Sequence, residues 1–275
     1  EGQHTIANGP ASHAEGFTSE ANGTASHAEG CGSTASGDYS HAEGINTISG
    51  GTGAHAEGIN SAASGAYSHA EGNTTIASGY SSHAEGINTT SGSTGSHVEG
   101  IGSTASGYGS HAEGITSVAG TTGSYAGGIQ STAIDIAQWS RSSGLYQGTK
   151  SQTSIYHLMG DFISGGTATA HDLTIDGVNV PTIGINDVWN MTVQIVGVAG
   201  SNANRFAYIA DYMIFYNGGV TTALVGSSRS GGNGTIAGST VAVNVGTGPV
   251  HVSVTTPAGT SSFWTATIYA TQVGF

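Results

Sequence analysis

Ser12-His13-Ala14-Glu15-Gly16 decides the fold, because its histidine returns at His27, His41, His55, His69, His83, His97 and His111, each 14 residues after the last. A period held through eight copies without an insertion gives every copy the same place in a stacked unit. The spacing therefore predicts a solenoid. A weaker period of seven lies inside it: Ala14, Ala28, Ala42 and Ala56 are echoed by Ala21, Ala35, Ser49 and Ala63, and Gly16 and Gly30 by Gly23 and Gly37. Two short strands per coil, each closed by a glycine able to take a left-handed or bulged backbone, account for that echo.

Working outward from the repeat, the small residues of the Ala/Ser ladders suit the narrow interior of a flat, two-sided roll. The slot after each Glu-Gly reads Phe17, Cys31, Ile45, Ile59, Asn73, Ile87, Ile101, Ile115 and Ile129, a mostly aliphatic ladder expected to form the stacking seam. Cys31 is then a packed thiol. A helical reading fails, since glycine at this density costs about 1 kcal/mol each in a helix. Coils about 4.8 Å apart make roughly nine turns into a rod of roughly 40 Å.

Composition narrows the function. Glycine supplies 47 of 275 residues and charged residues only 8%, a repeat or fibrous balance rather than an ordinary enzyme's. The net charge is -13, and the four basic residues, Arg141, Lys150, Arg205 and Arg229, all lie beyond the repeats. An acidic rod without Lys or Arg repels phosphate backbones and anionic lipid surfaces, so nucleic-acid binding is excluded. No apolar run reaches the roughly 20 residues of a membrane span, so no membrane insertion is expected. One cysteine rules out an internal disulfide framework and a zinc ribbon.

Taken in order, Glu1-Gly2 reads as the tail of a repeat whose histidine has been removed, which implies a longer parent protein. The segment Ser124-Tyr125-Ala126-Gly127-Gly128 puts Tyr for His and Gly for Glu and reads as a terminal cap. Residues 131–151, with Trp139, Arg141 and Tyr146 among Ser and Gly, read as a neck between a roll over 1–130 and a second domain over 152–275. In that second domain a period of two predicts strands. They cover Ile155 to Phe162, Leu173 to Ile175, Trp189 to Ile195, Phe206 to Tyr216, Val241 to Val245, Val250 to Val254 and Phe263 to Val273. About eight strands separated by Gly, Asn and Pro turns argue for an antiparallel β-sandwich of jelly-roll type.

His and Glu two apart on a strand share a face, so the period stacks His13, His27, His41, His55, His69, His83, His97 and His111 in one ladder. Glu15, Glu29, Glu43, Glu57, Glu71, Glu85, Glu99 and Glu113 form another beside it. Carboxylates one coil apart in water repel by about 0.9 kcal/mol per neighbouring pair, which the imidazoles can offset by hydrogen bonding or by taking up protons. Three readings compete. A structural His-Glu network comes first. Metal chelation comes second, because imidazole with carboxylate suits Zn or Ni but two ligands per coil call for partners from neighbouring chains. Catalysis comes last, since active sites are single constellations. His-x-Glu echoes the zinc deaminase signature, but its Pro-Cys-x-x-Cys is impossible with one cysteine, and no His-Glu-x-x-His occurs.

In the second domain Asp161, His171, Asp172, Asp176 and Asp211 are scattered polar groups near strand ends, and Asp172 and Asp176 read as turn formers. Trp189, Tyr208, Tyr212, Tyr216 and Trp264 alternate with strand period and read as core, with sugar-stacking platforms as the lesser alternative.

The 14-residue Gly/Ala/Ser period resembles the left-handed parallel β-roll of YadA-like trimeric adhesin heads, and the Ser-His-Ala-Glu-Gly wording is similar to bacteriophage tail-fibre and appendage proteins. Gln152-Thr-Ser-Ile-Tyr, His171-Asp-Leu-Thr-Ile-Asp-Gly177, Thr222-Ala-Leu-Val-Gly226 and Phe263-Trp-Thr-Ala-Thr-Ile-Tyr-Ala-Thr-Gln-Val273 resemble a β-rich module found at the ends of phage structural proteins. The resemblance implies an all-β homotrimer on the virion: a left-handed β-roll followed by a jelly-roll-like sandwich, attached through its N-terminal side to other virion proteins. It implies attachment to a host-cell surface glycan or receptor. The expectation is a non-enzymatic fibre without cofactor. A polysaccharide-degrading tailspike and a bacterial trimeric adhesin head are the alternatives.

Overall fold

A computed structural model of the chain describes residues 2–146, 149–163, 170–175, 178–181, 187–198, 205–216, 221–232, 239–245, 249–257 and 261–274. Two compact units divide it, Glu1–Ile134 and Asp135–Phe275. No helix occurs among the described residues, and none is long and apolar enough to cross a membrane.

The first unit is a parallel β-solenoid of about 10 turns. Each coil contributes a front strand carrying the His-Ala-Glu-Gly residues, as in His55–Ile59, and a two-residue back strand such as Ala62–Ala63. Front strands pair in parallel without slippage, His55 opposite His69 and His41, Glu57 opposite Glu71 and Glu43. The back strands form a 10-stranded parallel sheet from Ile6–Ala7 to Thr132–Ala133. The roll therefore continues one back strand past the Tyr125 copy.

The period of seven has a backbone cause. Every seventh residue from His4 to Gln130 has a left-handed φ between 50° and 70°. These are the two corners of each coil. Gly or Asn fills this position at Gly32, Asn46, Asn60 and Asn88, but Ala25, Tyr67 and Thr116 adopt the same conformation. Glycine is required elsewhere, in the slot after Glu. A Cβ on Gly58 would lie 2.1 Å from the carbonyl oxygen of Gly72, at a φ of +102°. The coils approach too closely there for any side chain.

Four ladders of small residues fill the interior. Ala28, Ala42, Ala56, Ala70 and Ala84 on the front wall and Ala35, Ala63, Ala77 and Ala105 on the back are fully buried. Many inward hydroxyls bond to the roll's own backbone: Ser68 donates to the Gly65 carbonyl at 2.6 Å and Ser61 to the Gly72 carbonyl at 3.1 Å. Thr47 donates instead to Ser33 Oγ, and Ser12 Oγ and Ser40 Oγ are buried without a hydrogen bond. The aliphatic ladder differs from expectation. Its members stack in register, Cys31 on Ile45 on Ile59 on Asn73 on Ile87, but face outward. Ile45 is 47% exposed and Cys31 is also exposed. The residue two beyond an outward Glu on a strand must point outward too.

In the second unit the described strands pair with one another antiparallel. One sheet runs in the order Trp139–Tyr146, Thr149–Ile163, Ser261–Gly274, Asp187–Val198, Arg205–Tyr216 and Thr221–Gly232. The other holds Ala170–Leu173, Val250–Thr255 and Thr240–Val245. Both sheets feed one core, with Trp189, Ile195, Ile214, Trp264 and Ile268 from the larger and Leu173, Val250, Val252 and Val254 from the smaller. At one end of the larger sheet the inward groups are polar: Gln138 Nε2 donates to Ser154 Oγ at 3.0 Å, and Ser154 donates to Gln272 Oε1 at 2.9 Å.

Gly58→Ala is expected to destabilise the roll by about 3 kcal/mol or more, through overpacking added to the φ penalty. At Gly95, where a Cβ meets nothing within 4 Å, alanine pays only for its φ of +63°. The expected loss there is about 1–2 kcal/mol. Thermal unfolding of the two variants checks the order.

Candidate functional site

The outward face of the front sheet carries three parallel ladders: imidazole, carboxylate and, two residues on, the aliphatic row. Strand alternation puts His, Glu and Ile on this face and sends Ala inside. From His27 to His111 the rings lie one on another with centroids 4.7 to 4.9 Å apart and planes within 23° of parallel. The first pair differs, with His13 edge-on to His27 at 87°.

Stacking buries the ring nitrogen that faces the carboxylates. Nε2 of His27, His41, His55, His69, His83, His97 and His111 is buried and makes no hydrogen bond. For six of them, all but His97, the Glu Oε2 two residues on lies within 4.0 Å, 3.6 Å away for His55–Glu57 and His83–Glu85 and 4.0 Å for His69–Glu71. These separations exceed a hydrogen bond. The ladders lie side by side, but the hydrogen-bonded network expected from the sequence is not formed at these atoms.

Burial, and after it the charge of neighbouring imidazoles, holds His83 and His111 below the ordinary value of 6.5. Hydrogen bonding to His13, and next to Glu29, lowers the Glu15 carboxyl. At the far end the Tyr125 hydroxyl donates to Glu113, and its ring lies 5.4 Å from that of His111. A Cβ on Gly127 would come within 2.7 Å of the Tyr125 hydroxyl and 3.0 Å of Glu113 Oε1. The paired change to Tyr125 and Gly127 is one device: the phenol takes the space of the missing carboxylate and hydrogen-bonds the last Glu of the ladder.

Of the acidic residues singled out in the second unit, the described carboxylates of Asp172 and Asp211 stand in different sheets. Asp161 lies in the strand Thr149–Ile163, His171 in Ala170–Leu173, and Asp176 outside the described residues. Asp172 belongs to a strand rather than a turn. Its carboxylate accepts from Ser253 at 2.5 Å and lies 2.7 Å from His251 Nδ1. Burial pushes its pKa up, but the hydrogen bonds from Ser253 and His251 together outweigh that and lower it. Asp211, in the other sheet, accepts from Thr192 at 2.7 Å. Trp189 and Trp264 are fully buried, Tyr212 and Tyr216 are buried, and Tyr208 shares a hydrogen bond with Tyr212. Burial, then that bond, raises the Tyr212 phenol.

Sequence reasoning missed an open groove on the first strand of the larger sheet, lined by Trp139, Arg141, Ser143, Ser151 and Thr153. Its signal was the i, i+2, i+4 spacing of Trp139, Arg141 and Ser143.

Residues 70–91 and 99–119 match the YadA head domain repeat, in two copies. The first unit is a β-roll carrying YadA head repeats. No curated protein matches the chain. Among solved structures it is similar to the tailspike protein of Acinetobacter baumannii phage AM24, at 8% identity and a TM-score of 0.29, covering 97% of this chain and 56% of that one. It is also similar to the tailspike of Acinetobacter baumannii bacteriophage Fri1, described as a capsular polysaccharide depolymerase. There the identity is 9% and the TM-score 0.24, over 94% of this chain and 50% of the other. The chain thus spans about half the length of these tailspikes. The expectation of a non-enzymatic fibre is corrected: with a depolymerase among its structural neighbours, the ground for setting the chain apart from enzymes is gone. At such TM-scores the likeness assigns it no activity either.

A histidine lowered in the folded state is a linkage with definite sign. The unfolded chain takes up its proton near pH 6.5, whereas His83 and His111 in the roll do so only at lower pH. Between those values the folded state binds fewer protons, so stability is full above about pH 6.5 and declines as pH falls below it. Thermal unfolding followed from pH 7.5 to 5 in the presence of a chelator is expected to show a falling Tm. His83→Gln combined with His111→Gln flattens that decline.

Proposed function

We propose that this chain is the surface-binding part of a trimeric fibre, a phage tail appendage or adhesin head. In this reading the roll is a stiff spacer and the second unit a module that recognises a host-surface glycan. The observation that carries it is the unbroken in-register roll with its YadA head repeats. A roll whose front face carries a row of half-exposed, mostly aliphatic residues, broken at Asn73, has an apolar strip that association of three copies would cover. Three copies also raise weak single-site binding through multivalency.

Within the second unit the Trp139–Arg141 groove supports glycan recognition. Trp139 is 37% exposed and offers a flat apolar surface for a sugar ring, Arg141 a charge for an acidic substituent, and Ser143, Ser151 and Thr153 hydroxyls for the ring's own. Placement on the virion exterior follows from the same reading.

Native mass spectrometry is expected to give three chains per particle, and a stable monomer overturns the trimer. Labelled protein is expected to bind host cells and to be displaced by the extracted surface polysaccharide. Trp139→Ala weakens binding about tenfold or more, as Trp and Arg anchors dominate such interfaces. Undiminished binding by this variant removes the groove from the proposal. Polymer length measured in the same incubation reads depolymerase activity directly.

A further inference from the structure

The stacked imidazoles present a physical problem that the roll does not itself solve. Seven buried Nε2 atoms, from His27 to His111, lack a hydrogen-bond partner, although six of them lie within 4.0 Å of a carboxylate oxygen. A buried nitrogen left so costs desolvation free energy without return. The Nε2 to Oε2 separations of 3.6 Å at His55–Glu57, 3.7 Å at His27–Glu29 and 4.0 Å at His111–Glu113 are too long for a hydrogen bond. They lie within a few tenths of an ångström of another arrangement, reached by small side-chain rotations on binding. Two ligands on one tetrahedral zinc ion, with Zn–N and Zn–O each about 2.1 Å, stand about 3.3–3.5 Å apart.

The neighbouring coil supplies the third ligand, which two residues of one coil cannot. Three groups bring their ligand atoms within 4.8 Å of one another: His13, Glu15 and His27; His55, Glu57 and His69; and Glu99, His111 and Glu113. No residue is shared between them. We propose that the His-Glu face is a row of binding sites for a divalent transition metal such as zinc, each ion held between two successive coils by imidazole nitrogen and carboxylate oxygen. Water completes the coordination, because the glutamates keep 30 to 50% of their side-chain surface exposed and leave the row open to solvent. Borderline-soft imidazole combined with carboxylate selects zinc, nickel or copper over magnesium or calcium.

Chain-internal ligation changes the meaning of the repeat. Metal bridges between coils would clamp the roll along its length, with binding free energy added to the folded state by mass action. Glu57→Gln is the informative substitution, because it removes one oxygen ligand and leaves the imidazole stack in place. His55→Gln with His69→Gln removes both nitrogens of the same site.

The full chain, stripped with a chelator and dialysed, is titrated with zinc at about pH 7.5 against a chromophoric competitor, and bound metal is counted by elemental analysis. The result expected is close to three zinc ions per chain, the number of separate groups. A rise in Tm that the chelator reverses is expected with it. The double histidine variant holds one ion fewer. Glu57→Gln weakens one site about tenfold or more, as loss of a ligand should exceed the 10- to 100-fold typical of losing a ligand's outer partner. Circular dichroism confirms the roll in both variants; should the double variant not fold, Glu57→Gln alone decides. Zinc uptake no greater than that of magnesium, or variants that hold as much zinc as the parent with equal affinity, overturns the proposal.

Discussion

The parallel hydrogen bonding of one coil onto the next governs everything else in the first unit. His55 N donates to the Ser68 carbonyl and His69 N to that of Ser82, each at 2.9 Å, and the pattern advances by one coil without slippage. Such a ladder allows no residue to choose its neighbour, since each side chain lies over its own equivalent at the strand spacing. Alanine over alanine and serine over serine make a narrow interior. Glycine over glycine lets two backbones touch where Gly58 meets Gly72. The same rule sets imidazole over imidazole and carboxylate over carboxylate, which no isolated strand pair would favour.

The chemistry of the face follows from that enforced likeness. Imidazoles stack well as flat rings, and stacking buries their Nε2 atoms. At His83 and His111 the ring resists protonation, first through desolvation and then through repulsion from neighbouring imidazoles. Tyr125 with Gly127 shows how the pattern is closed: a phenol that needs no second coil beyond it hydrogen-bonds the final carboxylate.

Much of this was legible because a strict period leaves little freedom. The coil length, the small-residue interior and the shared face of His and Glu all follow from spacing. The aliphatic row was misjudged because apolar character suggests burial, whereas strand parity from Glu43 to Ile45 demands exposure. Trp139–Tyr146 was read as a neck since its inward residues, Ser140 and Ser142, are polar and carry no hydrophobic alternation. They pack beside hydrogen-bonded Gln138, Gln152 and Ser154 rather than an apolar core. The left-handed corners were hidden because Ala25, Tyr67 and Thr116 hold a conformation usually signalled by Gly or Asn.

The sequence by itself determined the repeat, the two-strand coil, the all-β character of both units and the pairing of His with Glu on one face, since each rests on a periodicity that survives without coordinates. Tertiary structure decided the rest. Which oxygen stands 3.6 Å from His55 Nε2, that His69 of the next coil brings a ligand-type atom within 4.8 Å of those of His55 and Glu57, that Asp172 meets His251 and Ser253 from a different strand, and that Trp139 and Arg141 share a groove with Thr153 are facts of distance. Spacing along a chain names the face a side chain occupies. Only the stacking of separate strands sets how far its reactive atom lies from the next one.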